Sequence, residues 1–121
     1  MKRSVAALVL SSLLAANSAG AEDAPYETGL LRLSEILGSL HMLRNLCGEQ
    51  GSAWRQEMEK LLEAVKPDAA RRAKFVANFN HGYRSFQTVY RSCTPAAAEA
   101  IKRYVKEGEA LARDISARYG N

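Results

Sequence analysis

Residues 75–97 read FVANFNHGYRSFQTVYRSCTPAA, and this stretch decides the fold. Phe75, Phe79, Tyr83, Phe86 and Tyr90 follow at spacings of 4, 4, 3 and 4. A repeat near 3.6 lays all five rings along one stripe of an α-helix, whereas a strand would divide them between two faces. The stripe reads as core packing; a ligand platform is the rarer use of such a pattern. Asp68 is the expected N-cap of this helix, which is expected to continue to about Cys93. Gly82 inside it lowers helix propensity by about 1 kcal/mol relative to Ala, so a close crossing by another helix is expected there. Thr94-Pro95 joins a capping hydroxyl to a proline at the first helical position and opens a new helix.

Working outward, the same period recurs on both sides. Leu30, Leu33, Leu37, Leu40 and Cys47 form a seam over about residues 30–47, with Gly48 placed to end the helix in a left-handed conformation. Arg44 occupies one seam position, so it must reach the end of the bundle or meet an acid such as Glu49. A second helix is expected after a Ser52 N-cap, with Trp54, Met58, Leu61, Leu62 and Val65 on one stripe, ended by Lys66-Pro67. Downstream of Pro95, Ile101, Tyr104, Val105, Leu111, Ala112 and Ile115 point inward. Gly108 and Ala112 thin the middle of that stripe. Arg103–Glu107, Glu109–Arg113 and Asp114–Arg118 stand four apart on the outer face, as solvated ion pairs do. No alternating β-branched run and no Asn-Gly or Asp-Gly hairpin interrupts this pattern.

The first 21 residues are set apart from the fold. Lys2 and Arg3 precede an apolar run from Val5 to Ala16, and Ala19-Gly20-Ala21 supplies the small-residue pattern of a signal-peptidase site. Cleavage is expected between Ala21 and Glu22. The apolar run is shorter than the roughly 20 residues a membrane span needs, so no transmembrane anchor remains after cleavage; an uncleaved N-terminal anchor is the alternative. Without residues 1–21 the chain has 100 residues and a charge of +2 in place of +4. The division is therefore a signal peptide over 1–21, an irregular lead over 22–29 and a helical domain over 30–121. Export to the periplasm gives the two cysteines a meaning, because an oxidising compartment pairs Cys47 with Cys93. In an up-down-up-down bundle the first and third helices end on the same side, where both cysteines lie. The expected architecture is all-α: a four-helix up-down-up-down bundle stapled by one disulfide.

Length and composition exclude several functions. A chain of 121 residues leaves room for one domain, and 47% apolar against 25% charged residues excludes intrinsic disorder. His41 and His81 are the only histidines, too few for a zinc site without carboxylates. There is no Cys-x-x-Cys-His for covalent haem, and Met42 and Met58 beside His41 read as core filler before copper ligands. No metal and no cofactor is expected. Catalysis finds no nucleophile if both cysteines are paired. Glu49, a lone carboxylate at a helix end, is not the pair that glycoside chemistry requires.

Charge is distributed unevenly. Residues 69–98 hold Arg71, Arg72, Lys74, Arg84 and Arg91 and no acid, while residues 49–68 hold five acids and three bases. An acidic second helix beside a basic third one is expected to neutralise it, and nucleic acid is not an expected partner of an exported protein. Asn80, Arg84, Gln87 and Arg91 form a polar stripe next to the aromatic one. Such residues either lay their stems on the edge of the core or present a hydrogen-bonding surface, for which the arginine fork is well shaped.

The strings LCGEQGSAWR (46–55), FNHGYRSFQTVYRSCTPAA (79–97) and ARYGN (117–121) resemble a family of small uncharacterised exported proteins of alphaproteobacteria. The likeness runs from about Leu30 to Asn121 and encloses both cysteines. It implies a periplasmic, helical, disulfide-containing domain with a place in envelope growth or integrity, and it supplies no activity. Arg44, Glu49, Gln50, Trp54, Asn80, Tyr83, Arg84, Tyr90 and Arg91 fall within its motifs. The leading expectation is a binding or adaptor module that meets an envelope protein through Arg44, Glu49, Gln50, Trp54, Asn80, Arg84, Gln87 and Arg91. A peptidoglycan-acting enzyme or accessory working through Glu49 is one alternative. A purely structural oligomerising protein is the other.

Overall fold

Capping chemistry divides the chain where the sequence places its boundaries. The Asp68 carboxylate accepts the Arg71 N–H at 2.9 Å, and the Thr94 hydroxyl accepts the Ala97 N–H at 3.1 Å, each satisfying a first-turn donor. The computed structural model describes residues 25–119, and four helices account for most of them: α1 (Glu27–Leu46), α2 (Ala53–Val65), α3 (Ala69–Gln87) and α4 (Pro95–Tyr119). The described residues contain no strand. Residues 1–24 lie outside them, and with these the signal peptide and the Ala21–Glu22 cleavage.

Two boundaries and one capping contact differ from expectation. The α1 helix begins at Glu27, so the last part of the irregular lead over 22–29 is helical. Glu27 is wholly buried, and its carboxylate accepts Nε and Nη2 of Arg71 at 3.0 and 2.7 Å. An acid in the first turn also suits the helix dipole, so a residue that hydropathy would leave in a tail instead starts the helix. The α3 helix stops at Gln87, short of Cys93. The N–H groups of Val89 and Tyr90 both return to the Phe86 carbonyl, at 3.0 and 2.9 Å, and the next residues cross back toward Cys47. Ser52 stands at the N-cap of α2, but its hydroxyl accepts the Gln56 side chain at 3.2 Å and caps no backbone N–H.

The helices run up-down-up-down. Glu27 meets Arg71 near the start of α1 and α3, and His41 meets Tyr83 further along, with ring centroids 5.6 Å apart, so these two are parallel. The α4 helix is antiparallel to α1: Gly29 faces Ile115 and Ile36 faces Gly108. Cys47, at the C-terminal end of α1, bonds Cys93, in the loop after α3, over a Cα–Cα distance of 4.8 Å.

The bundle is nevertheless not a square. The α1 helix is its axis and packs on all three others; α2 only grazes α3, and the α4 backbone approaches α1 alone. Two glycines produce this. A Cβ on Gly38 would land on the Phe79 carbonyl oxygen, and one on Gly82 would land on that of Glu35. The diagonal pair α1–α3 therefore packs backbone to backbone. Leu30 and Leu37 join Met58, Leu62 and Phe75 in one core cluster, while Ile36, Leu40 and Leu43 join Ala97, Ala100 and Ile101 in another. All five rings of the aromatic stripe are buried in or packed against these clusters.

Candidate functional site

With α2 and α4 on separate sides of the axial helix, a groove runs over α1 between them, with Ile36, Leu37 and Leu40 buried at its base. Leu33, Ile36, Leu37 and Leu40 floor a groove of about 630 Å³. Trp54 and Leu61 line it from α2; Val105, Gly108 and Ala112 line it from α4. Gly108 does approach α1, since a Cβ there would sit 3.3 Å from Ile36, yet its lack of a side chain and the single methyl of Ala112 leave the far wall low. The floor spans two turns of α1, about 10 Å at 1.5 Å per residue. Glu49, Glu57, Glu109 and Lys60 form the polar part of its border, three acids to one base. Lys60 lies 3.2 Å from Glu57.

At the disulfide end the groove closes on a corner made from three of the sequence-predicted residues. Gly48 and Gly51, with φ of +95° and +117°, turn the chain so that Glu49 comes back over α1. Trp54 donates its indole N–H to Glu49 Oε1 at 3.1 Å. Arg44 Nε lies 3.5 Å from the other carboxylate oxygen, and the guanidinium sits 6.0 Å from the Trp54 ring centroid. That Nε is buried without a hydrogen bond, so the Arg44–Glu49 contact is an ion pair only. The seam arginine thus meets the acid named for it, and both Glu49 oxygens face partners within the protein.

The remaining sequence-predicted residues are not gathered here. Gln50 is exposed in the turn before α2. Asn80 lines a separate cleft between α2 and α3. Arg84 and Gln87 are exposed on α3, but Arg91 lies beyond its end, so the four-residue polar stripe stops at Gln87. The expected neutralisation of α3 by α2 does not occur among the described residues. Glu59 and Glu57 turn to Arg55 and Lys60 of their own helix, and Arg72, Lys74, Arg84 and Arg91 have no acid partner. Of the three pairs expected on the outer face of α4, Asp114–Arg118 forms at 2.8 Å. Glu107 instead accepts two bonds from Arg32 of α1, at 2.5 and 3.0 Å. Those bonds hold the Glu107 carboxyl below its ordinary value of 4.5, against the opposing effect of burial, and raise the Arg32 guanidinium.

A model of the family described as "Protein of unknown function (DUF2385)" matches residues 25–119. The chain belongs to this family. The matched span holds all four helices of the DUF2385 domain and both half-cystines. No curated protein and no solved structure matches it. Among the described residues no three His, Cys, Asp or Glu side chains gather as a metal would require, and no helix is long and apolar enough to cross a membrane.

Sequence reasoning missed the groove because it is made by what two helices fail to touch. The thin stretch at Gly108 and Ala112 was its only trace. It also missed Glu27, whose partner Arg71 is 44 residues away.

Proposed function

We propose that this DUF2385 domain is a non-enzymatic binding module, exported to the periplasm of an alphaproteobacterium, that receives a short segment of an envelope protein. The apolar groove between α2 and α4 carries this reading. Leu33 on α1, Trp54 and Leu61 on α2 and Val105 on α4 give the groove apolar walls that suit the apolar face of an amphipathic helix. With Glu49 paired to Arg44 and Glu57 to Lys60, Glu109 is the border acid that favours a Lys or Arg beside the segment's apolar face. The disulfide supports an oxidising compartment. Glu49 acts as a structural acceptor for Trp54 and Arg44, and a hydrolase role would have to release it from both.

Photo-crosslinking in living cells tests this reading, with the probe at exposed Ala112 in the groove or at Arg84 on the polar part of α3. A single protein adduct from Ala112 is the expected result. Adducts from Arg84 alone would move the contact to the polar edge of α3. Glycan adducts, or self-adducts only, would replace the proposal with a peptidoglycan-directed or an oligomerising role.

A further inference from the structure

A second opening lies on another side of α1, between α2 and α3, and its chemistry is different. Its volume is about 480 Å³. His41 reaches it from α1, with the rings of Phe79 and Tyr83 at centroid distances of 5.9 and 5.6 Å. Arg55 enters from α2 and Arg72 from α3, and Asn80 adds an amide. Glu59 is the one acid in the lining, 4.0 Å from Arg55 and too far for a good hydrogen bond. Arg72 has no acid partner among the described residues.

From this arrangement we infer that the α2–α3 cleft is a binding site for a small organic anion, its phosphate or carboxylate held by Arg55 and Arg72 and its apolar body laid against Phe79 and Tyr83. Two guanidinium groups from separate helices provide more donors than Glu59 can accept, and a planar fork matches an oxyanion in two-point contact. Met58 and Leu62 are buried at the same cleft, so the ligand's carbon skeleton finds an apolar wall next to the charged rim. The His41 imidazole is held below its ordinary value, by burial first and by the Arg55 charge second. It therefore stays neutral near pH 7 and offers one donor without adding a third cation. This site owes nothing to the groove between α2 and α4 and shares no residue with it.

The test uses the full chain with phenyl phosphate as probe, at constant ionic strength, followed by NMR of the backbone and of the His41 ring. Saturable shifts at His41, Asn80 and Tyr83 are expected, with weaker binding of inorganic phosphate and none of phenol. Arg55→Gln and Arg72→Gln should each weaken binding about tenfold, the loss of one charge-assisted hydrogen bond of roughly 1.5 kcal/mol. Arg84→Gln, on the same helix but outside the cleft, should leave it unchanged. Both cleft arginines are exposed, so unchanged melting temperatures will show that the fold is intact. Shifts that never saturate, shifts centred elsewhere, or an Arg84→Gln loss as large as that of Arg72→Gln would overturn the inference, the last by reducing it to diffuse attraction to a basic helix.

Discussion

Gly38 and Gly82 are where α1 and α3 meet with no side chain between them. Each hypothetical Cβ falls on a carbonyl oxygen of the opposing helix, and backbone in the middle of a helix has little room to withdraw. Gly38→Ala and Gly82→Ala should therefore each destabilise the protein by roughly 1–3 kcal/mol through overpacking, outweighing the gain of about 1 kcal/mol that Ala brings to a helix interior. Thermal melting of the two variants checks this. A rise in melting temperature would mean that the helices can part at little cost. Gly82 betrays itself in the sequence by interrupting an aromatic stripe, so the close crossing was legible from its side. Gly38 gives no such sign, because Gly-Ser within a leucine-rich helix reads as a simple weak spot.

The α4 backbone approaches α1 alone, with the Phe86–Tyr104 edge contact as a side-chain link to α3, and the Arg32–Glu107 pair lies near the middle of the α1–α4 contact. Because Glu107 titrates lower in the folded state than in the unfolded one, the stabilisation it supplies is present above its ordinary value of 4.5. It is lost as pH falls through the lower folded value. Both side chains are more than a third exposed, so the effect is screened and modest. Amide exchange, corrected for intrinsic rates, should show α4 losing protection relative to α3 on acidification below about 4.5. Glu107→Gln should remove that difference by weakening α4 already at neutral pH. Equal loss of protection in α3 and α4 would count against the pair as the pin. Element existence was legible throughout, since periodicity and the Asp68 and Thr94 caps are local properties. Partner choice was not: Glu107 has Arg103 four residues away on its own helix and bonds Arg32, 75 residues distant. The same limit hid Glu27 and the failure of α2 to neutralise α3, because both follow from how far the helices splay.

At the scale of the whole molecule, two fasteners hold opposite ends of the parallel pair α1–α3. Glu27–Arg71 fixes the start, and Cys47–Cys93 fixes the finish. Between them the glycine crossing sets the spacing, and the two openings beside α2 follow from it. The disulfide closes a loop with a separation of 46 residues, for which chain entropy gives at most about 4 kcal/mol. Its loss should be felt unevenly. The crossing and the Glu27–Arg71 end do not need it, whereas the Arg44–Glu49–Trp54 corner is built around the turn directly after Cys47. Trp54 is the only tryptophan, so its fluorescence reports on that corner alone. In a Cys47→Ser, Cys93→Ser variant, urea unfolding should move to lower midpoint. Under native conditions helical circular dichroism should be retained while Trp54 emission shifts to longer wavelength. A loss of helix in parallel with the shift would show the disulfide to be required for the fold as a whole. Unchanged emission with reduced stability would show instead that the corner's own contacts hold it, and that the groove keeps its tryptophan wall without the staple.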